Sequence, residues 1–271
     1  MRRLRQVGPC DLDSASPDLA AGLAGCVVGA LAFAAVTGEP AARRLAETAG
    51  ERLAFQLDDR LIRQPGVAHG LAGISLAFLR LAAASGDRGW IPLARRAWER
   101  EWHVRAQAPG FFPALTRQGL GWCRGSSGLG LVALELLRAE PAEDRPHELT
   151  MAVAALRGDW MSDRDGLCCG QGGELELLLA ARHAPGPPSL TDRLEPLRTA
   201  WWRRLAERGP RLDTDRLGRN RPHSGLFRGS AGVGYQLLRT CQPERWPSIL
   251  TFAPPSFAEN DRRCHVEAAI A

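Results

Sequence analysis

A motif of two glycines separated by two residues recurs five times and constrains the fold more than any other feature. The first glycines of successive motifs are 48, 55, 45 and 59 residues apart, and a recurring spacing of this size is typical of repeat architectures. Each motif is followed by an apolar stretch of helical length, then a turn and a more charged helical stretch. The sequence therefore predicts repeated helical hairpins, each with an apolar inner helix and an amphipathic outer helix. The motifs are Gly22–Gly25, Gly70–Gly73, Gly125–Gly128, Gly170–Gly173 and Gly229–Gly232.

Composition supports an all-α fold and argues against nucleic-acid binding. Apolar residues make up 45% of the chain and aromatic residues only 6%, and the apolar residues are mostly alanine and leucine, which favour helices. All 35 basic residues are arginine, and the net charge is +5. Because these arginines are spread along the outer helical stretches, we interpret them as a solvated helix face and expect no nucleic-acid partner.

One uncharged run raises the question of a membrane span. Residues 19–38 carry no charge, and twenty such residues are enough to cross a bilayer. The run is rich in alanine and glycine, however, and its pattern matches the other inner helices, so we predict a buried inner helix and no membrane span.

The seven cysteines lack the dense spacing of a secreted disulfide framework, which predicts a cytoplasmic protein.

The chain is long enough for one full domain. We expect an irregular lead-in at residues 1–14, one helical domain at residues 15–253 and a C-terminal tail at residues 254–271. Glycine-, proline- and aspartate-containing segments punctuate the helices. The predicted elements are inner helices ending near Val36 and Ala84, outer helices from Pro40 to about Arg63 and from Ile91 to Val104, a loop from Ala106 to Gly121, third and fourth units ending near Arg157 and Gly209, and a last inner helix over Ser230–Arg239.

Three cysteines and one histidine stand at matched positions in these repeats. Cys123 and Cys168 lie two residues before the first glycine of their motif, while His69 and Cys169 lie one residue before it. If the hairpins surround an axis, all four side chains converge at one end of that axis.

Three thiolates in such a cluster suit zinc, which takes tetrahedral sulfur and nitrogen ligands, and three protein ligands leave one position open. His69 is then an acid/base group beside the metal. In a second reading His69 is a fourth ligand that closes the site, and in a third the cysteines are small buried apolar residues.

These motifs resemble those of the lanthionine synthetase C-like family, the cyclases that build thioether rings in lanthipeptides. The resemblance covers roughly residues 15–252. The family's first ligand motif looks like Gly121-Trp122-Cys123-Arg124-Gly125, and its Cys-His-Gly motif appears as Cys168-Cys169-Gly170, with cysteine replacing histidine. Its catalytic histidine motif is similar to Gly66-Val67-Ala68-His69-Gly70. The end of the domain looks like that of the class II, bifunctional synthetases, a subset of which has three cysteine ligands.

The resemblance implies an α/α toroid of helical hairpins, of which five of the family's seven units are recognisable. It also implies a zinc-dependent addition of peptide cysteine thiols to dehydroalanine or dehydrobutyrine of a dehydrated precursor peptide. The metal ligands would be Cys123, Cys168 and Cys169. His69 would transfer the proton, and Asp18 would correspond to the family's active-site aspartate.

Two departures from the family pattern bear on partners. Two units and the dehydratase region of a class II synthetase are not recognisable in the sequence. We therefore expect either a truncated class II synthetase or a cyclase that works with a separate dehydratase and is completed by another polypeptide.

Two other classes of function remain open. One is a zinc-binding toroid that binds a peptide or partner protein without turnover. The other is a different α/α-barrel enzyme, such as a glycoside hydrolase, which would require an inward pair of carboxylates where this chain has cysteines.

Overall fold

The repeats predicted from the glycine motifs form helices in a computed structural model, which describes residues 12, 15–57, 64–107, 120–140, 162–182, 191–212 and 223–253. This described part contains eight α-helices and no β-strand, which confirms the all-α prediction. The helices are α1 Leu23–Thr37, α2 Pro40–Gln56, α3 Leu71–Ser85, α4 Trp90–Gln107, α5 Ser126–Ala139, α6 Gln171–Ala181, α7 Thr191–Arg208 and α8 Ser230–Cys241.

The helices are arranged as inner and outer layers. Helices α1, α3, α5, α6 and α8 each follow a glycine motif, and they contact one another in chain order. Helices α2, α4 and α7 pack against the inner helix that precedes each of them in the chain. This arrangement is the helical-hairpin architecture that the repeats predict. The outer stretch expected after α5, up to about Arg157, lies outside the described residues.

The observed helix ends agree with the predicted ends where capping residues are present in the sequence, and they differ elsewhere. Gly38 ends α1 in the left-handed conformation with φ of 70°, and the side chain of Glu39 accepts a hydrogen bond from Ala41 N at the start of α2. Helix α4, in contrast, continues to Gln107 into the predicted loop. Arg105 pairs with Glu101 one turn earlier and stabilises this last turn.

The uncharged run of residues 19–38 forms α1 and the turn before it. Helix α1 packs against α2 and α3, and Leu23, Ala24 and Val27 are fully buried, as predicted for an inner helix. No helix in the described ranges combines the length and the hydropathy needed to cross a membrane.

The second glycine of each motif allows a close approach of backbone to backbone. A Cβ atom at any of these positions would overlap the carbonyl group six residues earlier, which belongs to the turn leading into the same helix. At Gly128, for example, the clash would be with the carbonyl of Trp122 and the side chain of Val67. The repeated glycines therefore let each turn fold tightly against its own inner helix.

The first and last inner helices each expose an apolar face that is buried in the helices between them. Eleven residues after the first glycine, α3, α5 and α6 carry buried residues, whereas Phe33 of α1 is 36% exposed. Nine residues after it, the same three helices carry buried leucines, whereas Leu238 of α8 is 48% exposed. Among the described inner helices, the position eleven residues after the first glycine is thus exposed only in α1, and the position nine residues after it is exposed only in α8. The buried counterparts are Leu81, Leu136 and Ala181, and Leu79, Leu134 and Leu179.

The glycine interpretation predicts that Gly128→Ala lowers the free energy of unfolding by about 3 kcal/mol, because a methyl group has no space against the Trp122 carbonyl. Gly29→Ala is the matched control. A Cβ at Gly29, inside α1, meets nothing within 4 Å, so this change should be neutral or stabilising by up to about 1 kcal/mol. Denaturant unfolding of both variants measures the difference. Equal effects would show that the Gly128 contact imposes no steric requirement.

Candidate metal centre

The five turns that precede the inner helices are joined side by side by backbone hydrogen bonds. Ala20 N donates to Ala68 O at 2.9 Å, and Ala68 N in turn donates to Cys123 O at 3.0 Å. Trp122 N donates to Cys168 O at 2.6 Å, and Cys168 N donates to Phe227 O at 2.9 Å. Each acceptor lies two residues before the first glycine of its motif. This ladder of turns brings the matched sequence positions to one end of the helical layer.

The three cysteines predicted as ligands form a cluster. Their Sγ atoms all lie within 4.8 Å of one another, and Sγ of Cys169 is 3.4 Å from Sγ of both Cys123 and Cys168. Zinc–sulfur bonds of about 2.3 Å in a tetrahedron place sulfur atoms about 3.8 Å apart, so the cluster fits zinc with small side-chain movements. It is the one group of three or more potential metal ligands within the described ranges.

The three cysteine thiols differ in pKa. Hydrogen bonds from the Cys168 and Cys169 thiols lower the pKa of Cys123 to about 3, and Arg124 contributes to the shift. The hydrogen bond to Cys123 raises the pKa of Cys169 to about 11 and also raises the pKa of Cys168, with burial adding to both shifts. One thiolate therefore forms easily, whereas all three ionise together only beside a cation.

His69 lies next to Asp18 from the adjacent turn. His69 Nδ1 is 3.6 Å from Asp18 Oδ1, and the side chains are 42% and 16% exposed. Asp18 also accepts hydrogen bonds from the Ser16 hydroxyl at 2.7 Å and from Ala21 N at 2.8 Å. Burial alone would raise the pKa of Asp18, but these hydrogen bonds and the nearby His69 lower it overall. Asp18 is therefore a fixed carboxylate beside one imidazole nitrogen.

His69 belongs to the same end of the ladder as the cysteines but not to their cluster. The neighbouring residue, Ala68, bonds to the Cys123 carbonyl, whereas the set of mutually close ligand atoms contains only the three sulfurs. The described sulfur cluster thus contains no ligand atom of His69, and the role of His69 as a neighbour of a metal rather than a fourth ligand stays a prediction.

Buried carboxylates to which the sequence pattern assigned no role hold the turns. Asp165 is fully buried and accepts hydrogen bonds from Trp201 Nε1 at 3.0 Å and Arg211 N at 2.6 Å. It ties the Cys168–Cys169 turn to α7. Glu174, 1% exposed, accepts from Ser162 N at 3.0 Å. The sequence did contain a signal for Glu174, because it is a charged residue inside the apolar stretch of α6.

The outer helix α4 supplies the corresponding support for the His69 turn. Glu101 is fully buried and accepts a hydrogen bond from Gly66 N. In the sequence it reads as an ordinary polar residue of an amphipathic helix, so no local signal distinguishes it.

The all-α hairpin fold and the cysteine cluster are those of a helical-repeat protein with three thiols that could hold a metal ion. A family model described as lanthionine synthetase C-like protein matches residues 2–251, and the chain belongs to that family. A comparison with curated proteins found no match.

Glu174 generates a prediction about pH. Burial raises its pKa to about 7, against the opposing effects of the Ser162 N–H and Arg211. The folded state therefore binds a proton that the unfolded state releases, and stability falls as pH rises through about 4.5 to 7. Glu174→Gln keeps an acceptor for Ser162 N and should remove this loss, about 3 kcal/mol at about pH 8.

Urea unfolding of the metal-free proteins between about pH 4.5 and pH 8 measures this effect. We expect the variant and the parent to differ little at the acid end and most at the alkaline end. A pH-independent difference would show that Glu174 titrates alike in the folded and unfolded states.

Proposed function

We propose that this chain is a zinc-dependent lanthipeptide cyclase of the class II type, with three cysteine ligands. It adds peptide cysteine thiols to dehydroalanine or dehydrobutyrine and forms lanthionine or methyllanthionine rings. Family membership supports a lanthionine-synthetase-type function in general. The observation that carries the specific proposal is the three-sulfur cluster, joined by the backbone ladder to a histidine–aspartate pair.

Cys123, Cys168 and Cys169 would hold the zinc ion. A zinc ion with three protein ligands keeps a fourth position for a substrate thiol and lowers the pKa of that thiol. Cys123 and Cys168 are partly buried, whereas Cys169 is exposed to solvent, which supports access of a substrate thiol to the cluster.

The chain's own groups would handle the proton. In the addition, the substrate S–H bond breaks, a C–S bond forms at one end of the double bond, and the other end gains a proton. No oxidant or reductant is needed. His69 would accept the thiol proton and return a proton to the carbon, and Asp18 would hold the imidazole through Nδ1. The half-exposed position of His69 suits exchange with a bound peptide.

The substrate partner in this proposal is a dehydrated precursor peptide, the product of a dehydratase. The exposed apolar faces of α1 and α8 support a further partner, namely additional helical hairpins that complete the toroid. Sedimentation of the isolated chain tests this, since a monodisperse monomer would argue against such a partner.

We also propose a cytoplasmic location, where thiols remain reduced and available to a metal.

We expect about one zinc ion per chain and the loss of most of it in Cys169→Ala, because two thiolates hold zinc weakly. Cys241→Ala is the matched control, since Cys241 is an exposed thiol of α8 outside the cluster. Elemental analysis of purified protein measures the zinc content. Undiminished zinc in Cys169→Ala would contradict the three-thiolate site.

We expect His69→Asn to keep its zinc and to slow ring closure about a hundredfold or more, the usual contribution of a positioned proton-transfer group. The assay incubates a dehydrated precursor peptide with the protein, alkylates the remaining thiols and counts closed rings by mass spectrometry.

Two outcomes would redirect the proposal. Loss of zinc together with activity would make His69 a fourth ligand of a closed site, and the peptide-binding toroid without turnover would then be favoured. Zinc binding without ring closure by the parent protein would favour the same alternative.

A further inference from the structure

Glu101 and Arg105 of α4 form an ion pair that solvent barely reaches. Arg105 Nε donates to Glu101 Oε1 at 2.7 Å across one helical turn, and the side chains are 5% and 0% exposed. A buried pair of this kind is costly to desolvate unless its remaining polar atoms find partners. Here the partners are the backbones of two turns of the candidate metal centre.

The carboxylate of Glu101 holds the His69 turn from both sides. Oε1 accepts a hydrogen bond from Gly66 N at 2.7 Å, and Oε2 accepts one from Ala72 N at 3.2 Å. These donors lie three residues before and three residues after His69. Ala72 N belongs to the first turn of α3, where a negative charge is also favoured by the helix dipole. One side chain therefore fixes both ends of the segment that carries the imidazole.

The guanidinium of Arg105 reaches the neighbouring turn. One of its terminal nitrogens donates to the carbonyl oxygen of Arg124 at 2.8 Å, and Arg124 directly follows the candidate ligand Cys123. The two turns also meet through their backbones, since Val67 N and Ala68 N both donate to Cys123 O, at 2.9 and 3.0 Å. The ion pair of α4 thus spans the turn of the proton-transfer group and the turn of a metal ligand.

A bound metal ion could hold the cysteine turns together but not the His69 turn. Cys123, Cys168 and Cys169 would share the ion, whereas His69 lies outside their cluster. The position of the imidazole relative to the ligands therefore depends on the protein alone. The Cys168–Cys169 turn is anchored separately, by Asp165 to Trp201 of α7 and to the backbone N–H of Arg211 just after that helix.

We propose that the Glu101–Arg105 pair is a positioning element that sets the distance between the imidazole of His69 and the metal ligand Cys123. The proposal rests on the proposed cyclase function. In this proposal an outer helix, away from the reacting atoms, controls proton transfer. It does not control metal binding.

Glu101→Gln and Arg105→Lys test the proposal. Glutamine keeps an acceptor for one backbone N–H but loses the charge, and lysine keeps the charge but loses the fork that reaches Arg124. Glu176→Gln is the matched control. Glu176 is 1% exposed and pairs with Arg239 of α8 at 2.6 Å, and both of these residues lie on inner helices.

The readouts separate position from binding and from folding. Cobalt(II) serves as the metal probe, and the paramagnetic shift of the His69 ring resonance reports its distance and direction from the metal. The resonance is assigned with His69→Asn. Metal content comes from elemental analysis, and ring closure is followed by mass spectrometry of an alkylated precursor peptide.

In Glu101→Gln we expect unchanged metal content, an altered His69 shift and ring closure slowed ten- to a hundredfold in kcat, as for a misplacement of about 1 Å. Arg105→Lys should change the shift and the rate in the same direction. Glu176→Gln should change neither, even where it lowers stability equally. An unchanged His69 shift in Glu101→Gln, or an equal change in Glu176→Gln, would overturn the proposal. If Glu101→Gln does not fold, the same comparison is made with Arg105→Lys.

Failure of the proposed function remains distinguishable from failure of this inference. If the parent protein binds cobalt but closes no rings, the cyclase proposal fails and the His69 shift still decides the positioning role. If cobalt does not bind, hydrogen exchange in the metal-free protein decides it. At least one of the amides of Gly66 and Ala72 must then exchange at least about tenfold faster in Glu101→Gln than in the parent and in Glu176→Gln, because glutamine keeps a buried acceptor for only one of them. Unchanged exchange would overturn the inference.

Discussion

Backbone hydrogen bonds between successive turns hold the five turns in line and so align the inner helices that follow them. Each turn after the first offers the carbonyl two residues before its first glycine to the turn of the preceding repeat. The second glycine lets that turn lie against its own helix, because no side chain separates the two backbones. Since Cys123 and Cys168 supply their own carbonyls to this ladder, the backbone from which their thiols project is held on both sides.

The ladder of turns brings two kinds of chemical group to one end of the helical layer, namely three thiols and a histidine–aspartate pair. The three thiols compete for ionisation, so that one pKa falls while the other two rise, and a cation is the group that relieves this competition. The histidine, in contrast, stands beside a carboxylate whose own hydrogen bonds keep it ionised. Under the proposed function, the thiols hold the nucleophile while the histidine–aspartate pair moves the proton.

Buried charges outside the cluster explain how loops of different length and sequence reach a common geometry. Asp165 ties one cysteine turn to α7, and Glu101 with Arg105 ties the histidine turn to α4 and to the turn of Cys123. These contacts join inner turns to outer helices, so the outer layer contributes to the site as well as to the core.

The hairpin repeat, the inner helices and the set of side chains at one end could be predicted from the glycine motifs, because equal offsets from a repeated glycine turn imply equal placement. The sequence also predicted the first helix boundary, where Gly38 and Pro40 act locally. It did not reveal Glu101, since a glutamate on an amphipathic helix has the same pattern whether it faces water or a buried turn. The sulfur–sulfur distances, the contact of Asp18 with His69 and the inward direction of Glu101 were decided only by the tertiary structure, because each depends on packing between segments far apart in the chain.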